Sequence, residues 1–143
     1  MTCSAKFSRG GASGSAGDVV ISIGRSTPCL SGGTDNHLML LDLTSKYEKL
    51  SGRQAADHLE DAGIIVNKNT IPFDKRKPKT TSGIRLGTPM VTTRGMKEDE
   101  MVHIADFITE ALENRQKASI KQRIREKVQE FCEQFPIYEY LKV

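Results

Sequence analysis

Thr81-Ser82-Gly83-Ile84-Arg85-Leu86-Gly87-Thr88-Pro89 is the stretch on which the reading of the fold turns. Ile84 and Leu86 flank Arg85, so in a strand the two apolar side chains point to one face and the guanidinium to the other. Upstream, Leu38 to Leu43 is an almost unbroken apolar run, short enough for a buried strand, and Ile64-Ile65-Val66 reads as another. Between these two, Ser51-Gly52-Arg53-Gln54 is a capping box: the Ser hydroxyl and the Gln side chain can satisfy free backbone N–H groups. The helix that follows carries Ala55, Ala56, Leu59 and Ala62 on or near one face, and Gly63 ends it in the left-handed position.

Downstream, Glu98, Asp99 and Glu100 sit where a helix N-terminus welcomes negative charge. Met101, Ile104, Ala105, Ile108 and Leu112 then recur at helical spacing. A last helix spans about Ser119 to Phe135, with Ile120, Ile124, Val128, Phe131 and Phe135 as its apolar stripe and Pro136 as its stop. The predicted order is β-α-β-β-α-α, an α/β (α+β) small domain whose sheet is covered by helices on one face.

Between the second and third predicted strands, Asn67 to Gly83 is a connection of seventeen residues with two prolines, Pro72 and Pro78. Structureless connections of this length are uncommon in compact domains and tend to be binding loops or linkers, and the prolines favour a fixed path. Lys75, Arg76, Lys77 and Lys79 read as a solvated loop surface or as a lure for an anionic ligand. Arg85 has two readings as well. It is a solvated residue on the outer side of a sheet, or a guanidinium lining a cleft, able to grip a carboxylate with two parallel hydrogen bonds. Arg94, in Thr92-Thr93-Arg94-Gly95, reads as structural.

Composition narrows the function classes. The 143 residues fit one domain, and 37% apolar content without Trp suits a modest core. No apolar run approaches the roughly 20 residues a membrane-spanning helix needs, so no membrane role is expected. A net charge of +3 and a pI near 8.8 are mildly basic. The cations at Arg115, Lys117, Lys121, Arg123, Arg125 and Lys127 fall on the polar side of an amphipathic helix without interleaved aromatics, so no nucleic-acid partner is expected. Cys3, Cys29 and Cys132 are odd in number and form no CxxC pair, which fits a reducing compartment, and His37, His58 and His103 are scattered; no metal site is expected. Residues 1–30 are Ser- and Gly-rich with a single acid, Asp18, and only Val19 to Ile23 has strand character. This segment reads as a disordered tail, a foreign segment or a weak transit signal. The corresponding expectation is a cytoplasmic protein, or a mitochondrial or plastid one if residues 1–30 direct it there.

Four segments, in order, carry a family resemblance. Ser31-Gly32-Gly33-Thr34-Asp35-Asn36-His37-Leu38, Val66-Asn67-Lys68-Asn69-Thr70-Ile71-Pro72, Thr81 to Pro89 and Thr92-Thr93-Arg94-Gly95 resemble serine hydroxymethyltransferase, and Phe135-Pro136 looks like that family's terminus. The resemblance covers residues 31–143 and divides the chain there. It implies the C-terminal domain of a fold-type I, aspartate-aminotransferase-like transferase that uses pyridoxal phosphate. Such enzymes interconvert serine plus tetrahydrofolate with glycine plus 5,10-methylenetetrahydrofolate in one-carbon metabolism, and they work as homo-oligomers. Matched motif to motif, Arg85 resembles the Arg that binds the amino-acid carboxylate, and Asn69 the Asn that bonds the folate pterin ring. Asp35, Asn36 and His37 match a family motif without an assignable chemistry and are equally read as fixing a turn. The family's cofactor lysine, in a Thr-rich His-Lys segment, has no counterpart here. The expectation is therefore a C-terminal portion inactive by itself, or alternatively a non-catalytic module that pairs with full-length subunits.

Overall fold

The computed structural model describes residues 29, 30, 34 and 36–137. Val19 to Ile23 and Asp35, singled out in the sequence, lie outside the described residues. Among the described residues, three strands and four helices follow in the order β1 (Leu38–Asp42), α1 (Gly52–Asp61), β2 (Asn67–Asn69), β3 (Gly83–Gly87), α2 (Pro89–Thr93), α3 (Glu98–Glu113) and α4 (Ala118–Glu133). The sheet is antiparallel, with β3 central between β1 and β2. The chain is thus a small α/β unit.

The sheet has one apolar face because side chains alternate. Met39 and Leu41 of β1 and Ile84 and Leu86 of β3 are buried on it, with Leu43 just beyond β1. α1 packs directly on β2 and β3, α3 packs on α1, and α4 packs on α3. Leu59, Ala62, Ile108, Leu112 and Ile124 complete the core from the helical side. The last helix therefore does not cover the sheet: its Ile124 is buried while Ile120, Val128 and Phe131 only lean against the core.

Local chemistry fixes α1 at both ends. The Ser51 hydroxyl accepts from the Gln54 N–H at 3.2 Å and the Gln54 side chain accepts from the Ser51 N–H at 3.1 Å, which is the predicted capping box. Two further N–H groups of the first turn, of Gly52 and Arg53, donate to the carbonyls of Thr81 and Thr80, each at 3.0 Å. A side chain on Gly52 would strike the Gly83 carbonyl and the Thr81 hydroxyl, so the helix approaches β3 this closely only with glycine there. At the other end Gly63 takes φ +84°, and the N–H groups of Gly63 and Ile64 donate to Glu60 and Leu59, closing a Schellman motif.

That closure explains where the second strand departs from expectation. Ile64-Ile65-Val66 is not in the ladder; β2 is Asn67–Asn69. The Ile64 N–H is committed to the helix end, and Ile64 and Val66 pack against the core while Ile65 is 86% exposed between them. The segment alternates like a strand, but the chain reaches β3 only at Asn67, opposite Arg85. The long connection is correspondingly shorter than expected, since its first three residues are β2. The short helix α2 was absent from the expected order; Pro89 occupies its first turn, where a missing N–H costs nothing.

Candidate functional site

The sheet face turned away from the helices holds the sequence-predicted residues. Residues opposite one another in the ladder share a face, as do residues two apart in a strand. Arg85 lies opposite Leu40 on one side and Asn67 on the other, and Asn69 lies opposite Gly83. Arg85 and Asn69 are therefore diagonal neighbours across the β2–β3 ladder on the open face, with Cα atoms about 7–8 Å apart. The backbone alternation expected around Arg85 holds: Ile84 and Leu86 are buried and Arg85 is exposed. Among the described residues nothing pairs with its guanidinium. The Asn69 side-chain amide donates to the Thr70 carbonyl at 2.8 Å, which leaves its oxygen open.

The connection from Thr70 to Ser82 frames these two side chains, and Asp74 organises it. Its carboxylate accepts from the Ile71 N–H at 3.3 Å, the Arg76 N–H at 2.9 Å, the Ser82 N–H at 2.9 Å and the Ser82 hydroxyl at 2.6 Å. Burial pushes this carboxyl up, but the bonds from Ser82, Arg76 and Ile71 outweigh it and hold Asp74 below the ordinary aspartate range. Ile71-Pro72-Phe73-Asp74 is a tight turn closed by the Asp74 N–H on the Ile71 carbonyl at 3.1 Å. Phe73 has φ 58° at the position where such a turn favours glycine, and its ring is fully exposed. Ile71 folds back over Gly83, where a Cβ would meet its Cγ2 at 2.7 Å.

The basic run divides. The Arg76 guanidinium donates to the carbonyls of Leu50 and Glu48, each at 2.5 Å, so it clamps the loop to the β1–α1 connection. That corrects the expectation of a wholly solvated cluster; only Lys75, Lys77 and Lys79 are exposed. Arg94 donates to the carbonyls of Cys132 and Phe135 at 3.2 and 2.8 Å and thereby ties α2 to the end of α4. The Asn36 side chain accepts from the Leu38 N–H at 2.8 Å and from the Thr34 hydroxyl at 3.0 Å, fixing a turn into β1. The His37 carbonyl accepts from the Thr88 N–H at 3.0 Å. Asp74 and Arg76 were missed as organising residues. A Pro-x-Asp turn could have flagged Asp74, whereas the partners of Arg76 are backbone carbonyls that leave no trace in the sequence.

On the helical side the cations of α4 serve the packing. Lys121 pairs with Asp61 at 2.6 Å, Arg123 and Lys127 pair with Glu110 at 2.7 and 3.4 Å, and Arg125 donates to the Asp61 carbonyl at 3.3 Å. Among the described residues no group of His, Cys, Asp and Glu is placed to hold a metal ion, and no helix is long and apolar enough to cross a membrane.

A family model described as serine hydroxymethyltransferase matches residues 22–108. The span is well over half of the chain and runs from Ser22 through β1, the loop, Asn69 and Arg85 into α3. The chain belongs to the serine hydroxymethyltransferase family. Members of that family are pyridoxal-phosphate transferases, and the residues described here do not fit that cofactor. A Schiff base needs a lysine amine held in a desolvated pocket, where its pKa falls. Here Lys46 is paired with Glu113 at 2.7 Å, and despite its partial burial, which lowers its pKa, that bond keeps the ammonium above its usual value. Lys121 and Lys127 are likewise paired, and Lys49, Lys68, Lys75, Lys77, Lys79, Lys97 and Lys117 are exposed. What the described residues do offer is an open sheet face that carries the exposed Arg85 guanidinium and the Asn69 amide oxygen.

Proposed function

We propose that this chain is the C-terminal portion of a serine hydroxymethyltransferase and supplies the substrate-binding wall of a site whose cofactor is held elsewhere. The observation that carries the reading is the exposed Arg85 guanidinium, without a partner among the described residues, on the same sheet face as Asn69. A guanidinium fixed on a central strand can take an amino-acid carboxylate through two parallel hydrogen bonds, which sets the substrate's Cα against the reacting centre. Asn69, with an amide that both donates and accepts, suits the edge of a folate pterin ring. The boundary of this domain near Ser31, the fold-type I assignment and a cytoplasmic setting belong to the same reading. On this reading the chain does not cleave serine by itself, because it lacks the family's cofactor-lysine motif and no lysine among the described residues sits in a desolvated pocket.

The chain exposes the apolar side chains of Leu30, Leu38, Ile65, Phe73 and Met90, and this reading assigns part of that apolar area to contact with another surface. That surface is the remainder of the enzyme, in the same polypeptide or, as the second reading, in a full-length subunit that this chain modulates. An antibody to residues 96–143 applied to the source cells separates these readings. A species several times larger than 15.8 kDa supports the first, and a band at 15.8 kDa supports the second. For the site itself, Asn69→Ala in the complete enzyme should weaken folate-dependent turnover and spare folate-independent cleavage of hydroxy amino acids. Equal loss of both would remove Asn69 from the folate role.

A further inference from the structure

We propose that Asp74 is the positioning residue that holds Asn69 and Arg85 in their relative places. The inference rests on the reading of those two residues given above and extends it to the loop that joins them. Asn69 ends β2 and Arg85 sits in β3, and the ladder between the two strands is only three residues long. So short a ladder leaves the placement of β2 dependent on its packing against α1 and on what closes the connection behind it. Asp74 is that closure. It joins Ile71, two residues after Asn69, to Ser82, which adjoins β3, through two backbone N–H donors and the Ser82 hydroxyl.

An ionised carboxylate only accepts, with about four lone-pair sites, and here four loop donors use them. The fourth, the Arg76 N–H at 2.9 Å, links the buckle to the rigid body, because the Arg76 guanidinium is anchored on the Glu48 and Leu50 carbonyls. Support therefore runs from the β1–α1 connection through Arg76 and Asp74 to both sides of the β2–β3 hairpin. The same buckle keeps Phe73 at φ 58°, a conformation disfavoured for a bulky residue and retained only where its surroundings over-determine it. Asparagine cannot replace the carboxylate, since its NH2 group turns one of the accepting positions into a donor facing donors.

The test is an isotope-labelled preparation of the 143-residue chain, as wild type, Asp74→Asn and Ser82→Ala, observed by amide hydrogen exchange and by the Asn69 side-chain amide and Arg85 Nε resonances. Asp74→Asn should speed exchange at Ile71, Arg76 and Ser82 by about tenfold or more, as expected for loss of charge-assisted bonds. It should also shift the Asn69 and Arg85 side-chain resonances toward those of a free chain, with α3 and α4 exchanging as in wild type. Ser82→Ala should move the same signals by less. Asn69 and Arg85 resonances that stay put while the loop amides accelerate would overturn the proposal, because Asp74 would then shape only the loop. Uniform acceleration that includes α3 and α4 would overturn it too, since Asp74 would then hold the fold at large. These spectra do not depend on folate or serine, so a failure of the roles assigned to Asn69 and Arg85 would show separately, in the turnover of the complete enzyme.

Discussion

The two sides of the sheet are built on opposite terms. Toward the helices, apolar side chains interlock and the cations are spent: Glu110 holds Arg123 and Lys127 across α3 and α4, and Asp61 holds Lys121. Toward the open face, Arg85 has no partner among the described residues and the Asn69 side chain bonds only its neighbour's carbonyl. A fold gains nothing from leaving a cation on a central strand without an acceptor. The difference teaches which residues are explained by stability and which call for another account.

Substitutions on the helical side should produce the largest effects. Leu112 is fully buried in α3, and Leu112→Ala removes its transfer free energy and leaves a cavity, so a loss of about 2–5 kcal/mol is expected. Urea unfolding followed by circular dichroism measures it, and a loss below about 1 kcal/mol would mean that the helical layer is loosely packed. Gly52→Ala comes next. The added methyl meets the Gly83 carbonyl and the Thr81 hydroxyl, and overpacking of this kind costs about 1–3 kcal/mol. This change lies at the seam between the two sides, so it should also speed amide exchange at position 52 and at Arg53, whose N–H groups donate to the Thr81 and Thr80 carbonyls.

What the sequence disclosed follows the range of the interactions concerned. The capping box at Ser51 and Gln54 and the helix stop at Gly63 were legible because each is settled within a few residues. The alternation about Arg85 was legible because a strand's two faces follow from the pleat alone. Ile64 to Val66 misled because alternating burial does not require a ladder partner, and the partner appears only at Asn67. The loop remained opaque for a related reason. Arg76 and Asp74 act on groups made adjacent by the fold, and two of the Arg76 acceptors lie 26 and 28 residues away along the chain. Without those ties, Arg76 is indistinguishable in the sequence from Lys75 and Lys77.

Acid should act on both sides of the sheet, and unequally. Burial raises the Glu110 carboxyl, but its bonds to Arg123 and Lys127 outweigh that and hold it low; Asp74 is held low by its loop donors, and Asp61 chiefly by Lys121. A carboxyl whose folded pKa lies below its unfolded value stabilises the protein above the ordinary range near pH 4. That contribution is lost as pH falls through the lowered values. The urea midpoint should therefore hold from neutral pH to about 5 as far as these groups are concerned, then decline through and below about pH 4. Glu110→Gln should flatten part of the decline without altering the loop. Asp74→Asn should flatten another part and open the loop already at neutral pH. Identical profiles for the two variants would erase the distinction between a packing carboxylate and a loop-closing one.

The smallest expected effect on stability is the one that bears most directly on function. Arg85→Ala removes a guanidinium that, among the described residues, makes neither hydrogen bond nor ion pair, so the unfolding free energy of the chain should change by no more than about 0.5 kcal/mol. In the complete enzyme the same change should lower serine turnover by roughly a hundredfold or more, because a buried, hydrogen-bonded charge pair with the substrate carboxylate would be lost. Arg85→Lys should recover little of it, since an ammonium cannot reproduce the planar two-pronged grip. A stability loss of several kcal/mol would instead make Arg85 part of the scaffold, and the open face would then need no functional account. Neutral stability together with unimpaired turnover would break the comparison from the other side: the cation would be free because it is merely solvated. Only the pairing of an unchanged fold with a crippled enzyme fits a residue placed on the sheet for something other than the sheet.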